Sequence, residues 1–172
     1  DGMTALHKAA KAGSFSEFSS DELNVHNLLL RDDEGNTALH WAAAKGILAE
    51  VPGHVLTTHN LLLRNSHRAT CLHLAALGGC LRDLPANILK MDYVLDETDT
   101  GCTCLHLAAI DGRLVDIPVQ FFNHEALNMK NRNGQTPIEV ADVSGHEEKV
   151  PSELREVALN PNASATGKLI KF

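Results

Sequence analysis

Aromatic residues make up only 4% of this 172-residue chain, with a single Trp and a single Tyr. A core must therefore come from Leu, Ala, Val and Ile. No apolar stretch approaches the ~18 residues of a membrane span, so no membrane association is expected. No run of Lys or Arg offers a track for phosphates, and the net charge of −7 opposes a nucleic-acid backbone. No nucleic-acid partner is expected. Cysteine is sparse. Cys71, Cys80, Cys102 and Cys104 are too few to staple a chain of this size, which favours a reducing compartment, the cytoplasm. Also missing are a phosphate-cradling Gly loop, a nucleophile elbow and an H-E-x-x-H pair. "DETDTG" at 96–101 has some of a calcium loop's residues, but Leu107 stands where the final Glu belongs. The chain opens on Asp1, so a fragment of a longer protein is one expectation, and the lack of a targeting signal is uninformative.

What is present is a period. "TALH" starts at Thr4 and Thr37, "TCLH" at Thr70 and Thr103, and "TPIE" at Thr136, each 33 residues after the last. Gly13, Gly46, Gly79, Gly112 and Gly145 follow at one fixed distance. Four copies then carry an apolar-Pro pair: Val51-Pro52, Leu84-Pro85, Ile117-Pro118 and Val150-Pro151. "HNLLLR" occurs at 26–31 and again at 59–64. Agreement in so many registers exceeds chance and marks an array of internal repeats.

Each period holds one supersecondary unit. The Thr sits where an N-cap belongs, before an apolar helical pattern. Paired alanines (Ala42-Ala43, Ala75-Ala76, Ala108-Ala109) favour helix and allow close helix approach. The Gly reads as the left-handed helix stop. A second helix is predicted to start at the Pro, which the first helical position tolerates. "RDDEGN", "RNSHRA", "DETDTGC" and "KNRNGQ" carry turn residues and read as exposed hairpin tips. Such a unit cannot bury its apolar face alone, but stacked copies can.

The motif G-x-T-x-L-H-x-A-A-x-x-G at this period resembles the ankyrin repeat, over residues 1 to about 159. The resemblance implies an all-α solenoid of about five repeats, near 1–33, 34–66, 67–99, 100–132 and 133–159, with 160–172 as a tail or linker. The chain departs from the family in three ways. It lacks the usual "GADVN" segment, Pro fills the slot after the capping Thr only at Pro137, and Arg68 replaces the tip Gly of the third repeat. These departures point to a variant with a shifted second helix.

Cys and His together raise zinc and thiol chemistry. His7, His40, His73 and His106 fall three positions after Thr4, Thr37, Thr70 and Thr103, where Glu or Gln completes a capping box. Glu139 fills that slot after Thr136. A slot that accepts His or Glu fits a cap better than a metal ligand. Equivalent residues on stacked helices, roughly 8–10 Å apart, are also too distant to share one zinc. Cys71 and Cys104 begin their helices, where a thiol can be activated, but no base is placed beside them. They read as small apolar filler, and Cys102, beside a tip, as exposed. No metal, no cofactor and no catalytic residue is expected.

The ankyrin resemblance implies recognition through a concave face made of tips and first helices. The tip positions are Glu34, Asn36, His67, Ala69, Thr100, Cys102, Asn133 and Gln135. The helix positions include Lys45, Leu77, Ile110 and Asp111, with Trp41 one turn back. Leu77 and Ile110 occupy a slot held by Lys11 and Ala44 in earlier repeats, and two apolar residues on an exposed stripe make a candidate patch. Leu74 and Leu107 in the Trp41 slot leave Trp41 between core and contact roles. Tip charge alternates, which argues against a uniformly charged ligand, and His67 would make binding change near pH 6. The expected function is non-catalytic protein–protein interaction by a monomer. The rival is a targeting or scaffolding fragment of a larger enzyme or effector.

Overall fold

The computed structural model describes residues 1–84 and 86–162; Pro85, with the pair it completes, and the 163–172 part of the tail lie outside the described residues. The fold is all-α, and the described residues contain no strand. Among the described residues ten α-helices follow one another: α1 (Ala5–Ala12), α2 (Val25–Leu28), α3 (Ala38–Lys45), α4 (Thr58–Leu61), α5 (Cys71–Gly78), α6 (Met91–Val94), α7 (Cys104–Ile110), α8 (His124–Asn128), α9 (Pro137–Val143) and α10 (Ser152–Leu159). The "TxLH" helices α1, α3, α5, α7 and α9 pack each on the next in chain order.

The packing follows from small residues at the seam. Ala42, Ala43, Ala75, Ala76, Ala108 and Ala109 are buried between neighbouring helices. A β-carbon added at Gly78 would lie 2.5 Å from the Ala44 carbonyl oxygen, so the last turn of α5 touches α3 through backbone. Leu39, Leu72 and Leu105 are fully buried, one per helix. Each such burial stabilises by roughly 1.5–3 kcal/mol. One continuous apolar cluster runs from Leu6 to Val157.

The second half of each period differs from the expected helix starting at Pro. After the long helices of periods two to five comes a 3₁₀ turn (Leu48–Glu50, Leu81–Asp83, Leu114–Asp116 and Glu147–Lys149). Pro118 is extended (φ −58°, ψ 132°), and the α-helix begins six residues later, at His124. Asn24, Thr57 and Asn123 explain the late start, because their side-chain oxygens accept N–H groups of the first turn and define short helices of their own. Among the described residues of the apolar-Pro pairs, only Pro151 is followed at once by an α-helix, "SELREVAL", which has no Gly or turn residue to interrupt it, whereas Pro118 leads into a short 3₁₀ turn (Val119–Phe121).

The tips are turns rather than strands. Asp32, Asn65 and Asn131 each accept two backbone N–H groups of the following residues on the side-chain oxygen. Successive tips are tied by single backbone bonds: Asp33 N–H to Asp1 O (3.4 Å), Ser66 to Glu34 (2.9 Å), Asp99 to His67 (2.9 Å) and Arg132 to Thr100 (3.0 Å).

Candidate interaction surface

The motif histidines do two jobs at once. Nδ1 accepts the backbone N–H of the capping Thr, at 3.1 Å for Thr4–His7 and Thr37–His40 and 3.2 Å for Thr70–His73 and Thr103–His106. The proton therefore sits on Nε2. Nε2 donates to a backbone carbonyl beyond the helix: His7 to Asn36 O (3.0 Å) and His106 to Gln135 O (3.1 Å) in the next period, His73 to Asp96 O (2.9 Å) at the end of its own, and His40 to both Leu63 O (3.0 Å) in its own period and Ala69 O (3.3 Å) in the next. Each His thus clips its helix start to the chain flanking the next tip, and His7, His40 and His106 reach the following repeat. Glu139 closes the same box on the Thr136 N–H at 2.8 Å and stands in solvent. Both nitrogens of each buried ring are engaged, which leaves no lone pair for a metal. Among the described residues no group of three His, Cys, Asp or Glu could hold one.

Burial sets the protonation of three of these rings. It pushes His40 down to about 4, against the opposing pull of the Ala69 and Leu63 carbonyls, with Arg31 adding to the fall. Burial likewise lowers His73 and His106. The same burial pushes the Cys71 and Cys104 thiols far up and raises Cys80, away from the thiolate that nucleophilic chemistry needs.

Trp41 is half-buried and held at both ends of its ring system. Its indole N–H donates to Asp32 at 3.0 Å, and the Lys11 ammonium lies 4.8 Å from the ring centroid. Burial works against the Asp32 charge, yet the bonds from Trp41, Asn36 and Glu34 outweigh it and hold the carboxyl below its usual range.

The expected contact residues divide into three groups. Glu34, His67, Thr100 and Asn133 are exposed on the tips, and Lys45, Ile110 and Asp111 are exposed at the helices. Leu77 and Gln135 are half-buried, as is Trp41. Asn36, Ala69 and Cys102 are not available to a partner: they are 4%, 5% and 8% exposed. The turn that carries them folds back under the next tip, so Asn65 reaches Asn36 at 2.8 Å and the Asn131 amide faces the Cys102 sulfur at 3.9 Å. Cys102 is a buried thiol, contrary to the exposed position read from its neighbourhood.

Comparison with known protein families and with curated proteins found no match.

The geometry itself adds a residue that the sequence reading missed. Val143 is 77% exposed and stands 33 positions after Ile110, which is 39% exposed. Leu77, Ile110 and Val143 therefore form one ladder across α5, α7 and α9. The same 33-residue step that found the first two finds the third. Beside it lies a depression of about 300 Å³ with Ile110, Val140 and Val143 on one side and Thr100, Asn133 and Gln135 on the other. The opposite side carries a second depression, of about 340 Å³, between Ile117, Phe122, Pro151 and Leu154. Arg82 spans its edge and donates to the carbonyls of Val115, Asp116 and Ile117, so that wall is tied down by its own backbone.

Proposed function

We propose that the chain is an array of five stacked ankyrin-like repeats, and that it works as a non-catalytic module binding a protein partner through its first helices and tips. The observation that carries this reading is the Leu77–Ile110–Val143 ladder. Aliphatic side chains repeat there at one slot on successive helices, half-buried at Leu77 and exposed at Ile110 and Val143, in a chain whose other large aliphatics are mostly buried. A solvent-facing apolar series of this kind is a common mark of a recognition surface. The chemistry of the motif residues supports it. The histidines are clips with both nitrogens bonded, and the helix-start thiols are buried and hard to ionise. All four cysteines are unpaired, which fits a reducing compartment such as the cytoplasm. No helix among the described residues is long and apolar enough to cross a membrane.

The test compares the wild-type chain with an Ile110→Asp/Val143→Asp variant as baits in a native lysate. Both sites are exposed, so the variant should melt like the wild type. A protein retained by the wild type and lost by the variant supports recognition through this face. Equal capture by both moves the site to the tips or to the opposite side.

A further inference from the structure

We infer that the partner is an extended peptide segment with an acidic stretch at one end and an aliphatic stretch at the other, laid across the first helices. The inference rests on the recognition reading above and names the chemistry of what is recognised.

Charge is distributed unevenly along the long helices. α1 and α3 carry Lys8, Lys11 and Lys45; α5 and α7 carry no Lys, Arg, Asp or Glu; α9 carries Glu139 and Asp142. The three lysines are all exposed. The two carboxylates of α9 are already engaged, Glu139 by the Thr136 N–H and Asp142 by Arg155 at 2.5 Å. Near the lysine end, Glu34 turns its carboxylate onto the Asn36 amide at 3.4 Å. The long helices therefore read basic on α1 and α3 and uncharged and largely aliphatic on α5 and α7, with Asp111 after α7 and the carboxylates of α9 bringing the only acidic charge to the far end of these helices. A partner complementary to this pattern must offer carboxylates to the first half and aliphatic side chains to the second.

The dimensions favour an extended segment. Packed helices lie ~8–10 Å apart, so the four steps from the Lys11 slot to the Val143 slot span about 35 Å. An extended chain covers that in about eleven residues. The patch presents one side chain per helix, and the depression beside Ile110 and Val143 gives aliphatic side chains a place to enter.

The experiment pans the full chain against a display library of random twelve-residue peptides, then measures enriched peptides by fluorescence anisotropy. The expected enrichment is a carboxylate cluster at one end and Leu, Ile or Val at the other. Lys8→Glu/Lys11→Glu/Lys45→Glu should weaken such a peptide by about tenfold or more, with a similar loss on raising salt. Ile110→Asp/Val143→Asp should weaken it independently. Enriched peptides that lack carboxylates, lose affinity with the ladder variant and ignore the lysine variant would overturn this inference while leaving the recognition face standing. Peptides indifferent to both variants would overturn both readings. A library that enriches nothing above a bait-free control would overturn the peptide inference, with lysate capture still deciding the wider one.

Discussion

His40 donates from Nε2 to the carbonyl oxygen of Leu63 at 3.0 Å, while its Nδ1 holds the N–H of Thr37 at 3.1 Å. One ring therefore caps a helix and ties it to the end of its own period, and through the Ala69 carbonyl at 3.3 Å to the following one. The dual bond requires the neutral ring, because a protonated Nδ1 would meet the Thr37 N–H as a second donor.

This gives stability a pH dependence with a definite sign. The folded value of His40, about 4, lies below its ordinary 6.5, so between these values the unfolded chain binds more protons. Stability is full above about pH 6.5, falls as pH drops towards 4, and is fully penalised below that. For His40 the loss is about 3 kcal/mol at most. His73 and His106 act in the same direction. Urea denaturation at pH 7.5, 5.5 and 4.5 should show the midpoint falling at each step. A His40→Gln variant, which keeps a cap acceptor but does not titrate, should fall less steeply. An unchanged midpoint across the series would sink the clip argument.

The tips offer a paired test of backbone geometry. Gly35 (φ 74°) and Gly134 (φ 76°) share a left-handed conformation, yet their surroundings differ. A β-carbon at Gly35 would lie 3.0 Å from the Ser66 amide nitrogen, the donor of the tip-to-tip bond, whereas one at Gly134 meets nothing within 4 Å. Gly134→Ala should cost about 1 kcal/mol for the conformation alone. Gly35→Ala should cost about 1 kcal/mol more, because the neighbouring tip must move or lose its bond. Equal losses in thermal or urea melts would show that the tip ladder adds little.

Arg68 stands in the slot that Gly35, Gly101 and Gly134 fill elsewhere, and it adopts φ 60°. A side chain with a β-carbon is strained there, while glycine brings more unfolded-chain entropy. The difference should favour Arg68→Gly by about 0.5 kcal/mol, read as a small rise in the urea midpoint. A fall would mean that the exposed Arg side chain makes contacts worth more than the strain.

Most of the architecture was legible because a period multiplies weak signals. One Thr before one apolar run is an ambiguous cap, but five in register leave little choice, and all five head helices. The capping role of His was likewise readable from Glu139 sharing its slot. Its second bond was not, since Leu63 O and Asp96 O are brought to His40 and His73 only by packing. The start of the second helix was misread at Pro52 and Pro118, because Pro is permitted at a helix start without requiring one. Asn123, five residues after Pro118 at the head of α8, was the stronger signal. On the surface, Val143 was available from the 33-residue step alone. The burial of Asn36, Ala69 and Cys102 was not, because it depends on how far one tip lies over the next.

The cysteines allow a sharp final check. A thiol at a helix start can be activated by the N-terminal dipole, and Cys71 and Cys104 both begin their helices. In this fold desolvation opposes that effect and wins, since both side chains are fully buried and both thiols are pushed up. Cys80 is buried too and directs its sulfur at the Ala43 carbonyl at 2.8 Å, and Cys102 lies under the Asn131 amide. A chromogenic disulfide reagent at pH 7.5 should therefore find none of the four reacting rapidly in the native chain, and all four after urea is added. Reaction should follow the opening of the fold rather than the reagent concentration. A fast-reacting thiol in the native chain, removed by Cys104→Ser and left by Cys102→Ser, would instead restore the helix-start thiol as an active group.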